Sequence, residues 1–149
     1  MSYADLLKGR YSEPGREYFI TTVIAHRRPL LRDFRTARLL VDGMKLTESE
    51  GDGSWLAWVI MPDHFHGLLR LNEGSSLAVV MNRFKGRTAK SVNQCHGLSG
   101  KLWQQGYYDH ALRQEEDRLA LARYIVSNPL RKGLVKSIGD YPHWDSVWL

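Results

Sequence analysis

His64 and His66 are separated by one phenylalanine inside the run Trp58-Val59-Ile60-Met61-Pro62-Asp63-His64-Phe65-His66-Gly67-Leu68-Leu69. Strand side chains alternate between faces, so the two imidazoles leave one surface together and Phe65 enters the other. Neutral imidazole is a common ligand of divalent metals. Paired histidines also occur at plain surfaces, so chemistry here requires further groups from elsewhere in the chain. Tyr124 and Asn128 are a phenol and an amide four residues apart. On a helix turning ~100° per residue, Leu119, Ala122, Ile125 and Val126 share an arc, the natural core stripe. Tyr124 and Asn128 lie nearly opposite it, so Tyr124 is not placed as a core aromatic. Periodicity alone makes it an exposed tyrosine.

The elements that must position these groups follow from pattern. Tyr18-Phe19-Ile20-Thr21-Thr22-Val23-Ile24-Ala25 is rich in β-branched and aromatic residues and predicts a strand. The basic cluster His26-Arg27-Arg28 follows it. Asp33 is an N-cap for a helix whose apolar positions run to about Lys45. A polar loop at 48–54 leads into two strands, about 55–61 and 64–71, antiparallel because the break between them is so short. Pro62 sits at that break, where a missing amide donor does least harm to a ladder. Ser75 or Ser76 caps a helix from Leu77 to about Asn93. That helix carries Arg83, Lys85, Arg87 and Lys90 with no acid, which favours an anionic partner. Residues 102–113 predict an irregular strand with Gly106 as a bulge. Trp103, Tyr107 and Tyr108 in it are either packing residues or stacking surfaces for unpaired bases. Glu115-Glu116-Asp117 opens a last helix, ended near Ser127 because Pro129 disfavours helical geometry at Asn128.

The order β-α-β-β-α-β-α predicts an α+β protein. Its first six elements match a ferredoxin-like, split-βαβ antiparallel sheet with helices on one face, and the last helix, carrying Tyr124, is an addition. The other sheet face is left for a site or a covering helix. A chain of 149 residues predicts one domain, 1–149, with a basic N-terminal arm at 1–16 and a tail at 136–149. The arm contributes Arg10 and Arg16 as phosphate contacts, and the two tryptophans of the tail should dock on the body.

The net charge of +5 and a pI near 9.5 lean toward polyanions. One cysteine excludes an internal disulfide and a cysteine metal cluster. There is no signal pattern, and no apolar run approaches the ~20 residues that span a bilayer. The expectation is a cytoplasmic protein, associated with the nucleoid through DNA, with no membrane partner.

His64-Phe65-His66 resembles the HUH motif, two histidines around a bulky hydrophobic residue, of single-strand DNA endonucleases. The run Met61-Pro62-Asp63-His64-Phe65-His66, followed by Tyr124-Ile125-Val126-Ser127-Asn128-Pro129-Leu130-Arg131-Lys132-Gly133-Leu134-Val135, resembles the IS200-like single-tyrosine transposases, and within them the REP-associated tyrosine transposases. Gly9-Arg10-Tyr11 with Phe19-Ile20-Thr21-Thr22, and Trp103-Gln104-Gln105-Gly106-Tyr107-Tyr108-Asp109-His110, match in the same order. An H-x-H alone is weak; H-x-H after M-P-D, with a later Y-x-x-x-N-P, is specific.

The resemblance implies that His64, His66 and Asn128 ligate a metal and that Tyr124 is the nucleophile. It implies a covalent 5′-phosphotyrosine, a free 3′ hydroxyl, and rejoining without ATP. Three protein ligands would leave positions open for phosphate oxygens. Substrate and family point to Mg²⁺ or Mn²⁺, although histidines suit zinc as well. Asp63 and His110 are candidates to tune the site. The expected partner is single-stranded DNA with hairpin structure, bound by a monomer or homodimer through Arg10, Arg16, Arg27, Arg28, Arg83, Lys85, Arg87, Lys90, Trp103 and Tyr107. A different class fits the same fold: a binding module for single-stranded DNA or RNA that breaks no bond. A replication or conjugation nuclease fits less well, because the chain has no helicase-like segment.

Overall fold

The computed structural model describes residues 16–113 and 117–148. Arg10 and most of the basic arm lie outside the described residues. Five strands form one antiparallel sheet in the order β4-β1-β3-β2-β5. They are β1 (Glu17–Val23), β2 (Gly53–Met61), β3 (His64–Leu71), β4 (Tyr108–Ala111) and β5 (Trp144–Ser146). The first four follow the ferredoxin-like order expected from the sequence. The three-residue β5 adds an edge beyond β2 that the sequence reading does not contain.

Two long helices cover one face. Helix α1 (Phe34–Ser49) starts where the Asp33 carboxylate accepts the Thr36 amide at 3.0 Å. It runs four residues past the expected Lys45. Helix α2 (Leu77–His96) starts at Ser76, whose hydroxyl accepts the Val79 amide. It ends where Gly97 turns left-handed, with φ +63. The alternate residues Tyr18, Ile20, Phe65, Leu69 and Leu71 of the sheet pack here against Leu40 and Met44 of α1 and Val80, Met81 and Phe84 of α2. Trp55 meets Phe65 edge-on, with ring centroids 5.4 Å apart. A Cβ on Gly67 would sit 2.6 Å from the Trp55 ring, so glycine is what lets the indole lie across β3. Phe65 is fully buried, contributing roughly 2–3 kcal/mol. That anchorage holds its histidine neighbours on the opposite face.

Helix α3 (Arg118–Val126) lies on that opposite face. Ala122 and Ile125 pack on Leu56, Ala57, Val59, Met61 and Leu68. A bulge between Trp55 and Ala57 shifts the β2–β3 register and turns both Leu56 and Ala57 into this second core. The tail closes the β2 edge. Ile60 donates its amide to the His143 carbonyl, and the Tyr141 hydroxyl donates to the Ile60 carbonyl at 2.5 Å. An otherwise open strand end is thereby satisfied. The region expected as a strand over 102–113 is strand only at Tyr108–Ala111, with Trp103 in a single bridge to Ile24. No described helix is long and apolar enough to cross a membrane.

Candidate active site

The β1–β3 register pairs His66 with Thr21 and His64 with Val23, so both imidazoles stand on the α3 face. Their ring centroids are 4.7 Å apart, and the rings meet edge-on at 75°. Each Nδ1 is already engaged. His64 Nδ1 donates to the Asp63 carboxylate at 2.6 Å, and His66 Nδ1 lies 2.8 Å from the Thr21 hydroxyl. The Asp63 carboxylate can only accept, so it selects the His64 tautomer whose Nε2 carries the lone pair, while the Thr21 hydroxyl fixes the orientation of the His66 ring. Phe19 stacks on His66 at 5.5 Å.

Electrostatics keep these groups in complementary states. Burial, the neighbouring His64 and the positive charges of Arg131 and Lys132 push His66 down to about 3. It is neutral near pH 7, with its lone pair available. Burial alone would raise Asp63, but the hydrogen bond and charge of His64, with the Arg27 guanidinium, hold its carboxyl below the usual range. Arg27 donates from Nε to Asp63 at 3.2 Å. It reaches there from a turn in which His26 and Arg27 both adopt left-handed backbone, φ 61 and 50. Such conformations cost of order 1–3 kcal/mol each outside glycine and cluster at functional sites.

The second half of the site arrives on α3. Asp117 caps the helix, accepting the Leu119 and Ala120 amides at 3.0 and 3.1 Å. Ala122, Ile125 and Val126 are buried and Leu119 is half-buried, as the expected stripe requires, whereas Tyr124 is 55% exposed. The sequence reading set Tyr124 and Asn128 on one helical face. The helix α3 ends at Val126, within a residue of the expected end, and a separate turn, α4 (Asn128–Arg131), follows Ser127. Pro129, lacking an amide hydrogen, forces the interruption. Asn128 is therefore buried, only 3% exposed, and its Nδ2 lies 3.4 Å from His64 Nε2. Tyr124 remains at the surface.

Arg131 joins the two, a residue the sequence reading did not single out. Its guanidinium carbon lies 3.8 Å from the Tyr124 ring centroid. Nη1 donates to the Tyr124 carbonyl at 2.6 Å and also to the Ser127 hydroxyl, and Nη2 donates to Asn128 Oδ1 at 3.4 Å. The only sequence signal was a cation after a helix end, which ordinarily indicates capping. Thr21 was likewise missed, because its role is visible only once β1 and β3 are in register.

His64, His66 and Asn128 thus come together and could hold a divalent ion. Among the described residues no cluster of three His, Cys, Asp or Glu side chains is placed to do so; the side chains gathered here are the two imidazoles and the Asn128 amide. Two imidazole lone pairs and an amide oxygen suit an open, catalytic site.

The expected DNA-contact residues fare differently. Arg83 makes an ion pair with Asp52 at 3.0 Å and Arg87 with Glu50 at 2.7 Å. Lys85 donates to the backbone carbonyls of Gln104, at 3.0 Å, and Gly106. Three of the four α2 cations are thus neutralised or occupied by the chain itself, which removes the inference of an all-cationic face; Lys90 is exposed. Trp103 is 3% exposed and donates to Thr88, and Tyr107 is 9% exposed in the helix-side core, so neither presents a stacking surface. Arg28 spends its guanidinium on the Ala25 and Lys101 carbonyls. Arg16 is partly buried beside β3, where its carbonyl accepts the Leu71 amide. Among the described residues of this set, Arg27 is the one joined to Asp63 beside the histidines, with its side chain 60% exposed. His110 lies on β4, two strands from His66 and paired with Phe19.

Comparison with known proteins gives a consistent assignment. The chain is 28% identical over 133 residues to the REP-associated tyrosine transposase of Escherichia coli (strain K12), covering 89% of this chain and 78% of that protein. The solved structure of a REP-associated tyrosine transposase bound to a REP hairpin superposes with a TM-score of 0.78 at 27% identity, covering 97% of this chain and 82% of that one. The family described as "Transposase IS200 like" matches residues 15–128, from the start of β1 through the Tyr124/Asn128 segment. The chain belongs to the IS200-like transposase family.

Proposed function

We propose that this protein cleaves and rejoins single-stranded DNA at hairpins of the REP type, through a covalent 5′-phosphotyrosine at Tyr124. The observation that carries the reading is the approach of the Asn128 amide to His64 Nε2, 3.4 Å. It brings residues 64 apart in sequence into one donor set beside a neutral His66. The named relatives support the substrate: one is a REP-associated tyrosine transposase and another was solved with a REP hairpin.

A Mg²⁺ or Mn²⁺ ion held by His64, His66 and Asn128 would polarise the scissile phosphate as a Lewis acid. The remaining work falls to the chain. Asp63 and Thr21 engage the Nδ1 atoms of the two imidazoles, leaving each Nε2 for another partner. Arg27 is anchored through one nitrogen, leaving the rest of its fork to phosphate oxygens. Arg131 and Lys132 add positive charge where the substrate brings negative charge. The Tyr124 oxygen forms a bond to phosphorus while the phenol gives up its proton. The bond to the 3′ oxygen breaks, and that oxygen leaves as a hydroxyl. In the return step a 3′ hydroxyl attacks the phosphotyrosine and the phenol regains its proton, so the bond energy is conserved and no ATP is consumed.

The test is incubation of the protein with a labelled single-stranded hairpin and Mn²⁺, read on a denaturing gel. The wild type should give a protein–DNA adduct that chelator abolishes. Tyr124→Phe should bind the hairpin without forming the adduct. An adduct formed equally by Tyr124→Phe would sink the assignment. Binding without any adduct, indifferent to chelator, would instead identify a non-catalytic single-strand-binding module.

A further inference from the structure

We infer that the exposed start of α1 is a second surface for single-stranded DNA, on the helix-covered side of the sheet. There the Phe34 ring stacks on a base, and Arg32, Arg35 and Arg38 meet the neighbouring phosphates. The inference deepens the reading of the protein as an enzyme of single-stranded DNA and rests on it.

Residues 24–38 carry five arginines and one acid, Asp33. That acid is engaged within the chain, because its carboxylate accepts the amide and the hydroxyl of Thr36 at 3.0 and 2.9 Å. Arg32, Arg35 and Arg38 are exposed, and among the described residues none of them forms an ion pair. They differ in this from Arg83 and Arg87 on α2, which are paired with Asp52 and Glu50. Phe34 stands among them, 61% exposed. Phe34 and Arg38 are four apart on the helix, and Arg35 and Arg38 three apart, so the three border one face. Thr36, Leu40 and Met44 are buried on the other. Burial therefore does not account for a phenylalanine at position 34. One side of its ring meets His143, with centroids 5.4 Å apart. His143 is only 6% exposed, and its carbonyl accepts the Ile60 amide at 2.9 Å. The ring thus rests on a fixed support, so a base stacking on it pays little for ordering the protein. An exposed π-face among unpaired cations is the composition that binds single strands with little regard to sequence.

The chain joins this surface to the histidine end of the sheet. Ile24 donates its amide to the Asp63 carbonyl and Leu31 to the Pro62 carbonyl, both at 2.9 Å. Between these two stitches His26 and Arg27 take left-handed backbone, and Arg27 reaches the Asp63 carboxylate at 3.2 Å. A run of guanidiniums therefore starts beside His64, passes over the turn between β2 and β3, and arrives at Phe34 on the far face. The span is short. His143, under Phe34, immediately precedes β5, which is two strands from β3 in the sheet, ~10 Å at the usual strand spacing. A strand with one phosphate at the histidines can continue over Arg27 and set its next bases against Phe34. Continuity with Arg27 favours a nucleic-acid strand over an acidic protein as the occupant, since a strand repeats its charge along such a path.

Fluorescence anisotropy of the 149-residue chain with hairpin oligonucleotides, carrying or lacking single-stranded flanks, tests the surface. The fluorescent base 2-aminopurine, placed at successive flank positions, reports stacking. Phe34→Ala should weaken binding of the flanked hairpin about tenfold and abolish 2-aminopurine quenching at one or two positions. It should leave the flankless hairpin unaffected. Phe34→Trp, which keeps a ring, should retain both affinity and quenching. Replacing Arg35 and Arg38 by glutamine should lower the slope of log affinity against log salt by about 0.7 for each phosphate lost. Equal affinity of wild type and Phe34→Ala for the flanked hairpin, or a loss shared equally by the flankless one, would overturn the surface. Adduct formation with Mn²⁺, followed in parallel, keeps the two readings apart. An adduct from the wild type together with unchanged binding in Phe34→Ala overturns the surface and leaves the reaction intact. Flank binding that depends on Phe34, with no adduct from the wild type, overturns the reaction and supports the surface. Circular dichroism and thermal unfolding establish that each variant is folded.

Discussion

Thr21 and His66 are direct cross-strand partners, and the threonine hydroxyl lies 2.8 Å from the imidazole Nδ1. The neighbouring strand thereby fixes which nitrogen of His66 faces the site. Thr21→Val keeps the shape and removes the hydroxyl. Affinity for Mn²⁺, and adduct formation at limiting metal, should fall roughly 10–100-fold, the usual effect of losing a partner behind a ligand. The fold should be retained, as read by circular dichroism. An unchanged metal titration would show that the ring is held by Phe19 and burial alone.

Acid should destabilise the metal-free protein over a defined window. Burial, with the charges of His64, Arg131 and Lys132, lowers folded His66 to about 3, against an unfolded value near 6.5. His143 is lowered too, chiefly by burial and then by Arg38. Below pH ~6.5 the unfolded chain binds protons that the folded chain refuses, so stability present at neutral pH is lost as pH falls toward 3. Urea midpoints from pH 7.5 to 4 should decline, and His66→Gln should flatten part of that decline. A parallel pH dependence in the variant would show that His66 does not contribute.

Charge placement gives a contrast between two arginines. Arg27→Gln should lower the slope of log affinity against log salt by about 0.7 for single-stranded DNA, the loss of one phosphate contact. Arg87, paired with Glu50, should leave that slope unchanged when replaced by glutamine. Equal slopes for wild type and Arg27→Gln would place the DNA elsewhere.

Arg83→Gln is a stability variant. Asp52 is 9% exposed, and its two carboxylate oxygens accept from Arg83 Nη1 at 3.0 and 3.1 Å. Leaving that carboxylate without its cation should cost about 1–3 kcal/mol in a urea titration. DNA affinity at temperatures where the variant is folded should be unaffected.

Stacking should map to Tyr108 rather than to Trp103. Tyr108 is 45% exposed, and the register sets it in one row with Thr21 and His66 across the site face. Tyr108→Ala should weaken single-strand binding by about 1–3 kcal/mol, measured by fluorescence anisotropy. Trp103→Ala should lower stability by about 3–5 kcal/mol instead. The reverse pattern would mean that the core around Trp103 opens to admit a base.

What the sequence made legible was local. The facing of His64 and His66 follows from strand alternation. The Asp33 and Ser76 caps, the ferredoxin-like order and the stripe on α3 follow from spacing and end signals within a few residues. What stayed hidden depended on partners distant in sequence. Arg83 and Arg87 read as an unopposed cationic face because Asp52 and Glu50 belong to the segment before β2. Trp103 and Tyr107 have the composition of a stacking surface; only the docking of α2 shows that they are interior. The three residues of β5 carry no alternation long enough to be read. Arg131 reads as an ordinary helix-end cation until the interruption at Pro129 turns Asn128 inward.

The arrangement of β3 and α3 also orders events during synthesis. The histidine pair sits on a hairpin whose two strands are neighbours in sequence, and such contacts form early and fast. Tyr124 and Asn128 leave the ribosome later, and β5, which closes the sheet beside α3, later still. A nascent chain can therefore carry the paired histidines before Tyr124 and Asn128 exist. The two halves of the proposed site therefore meet only once α3 and α4 have been made and have docked on the hairpin.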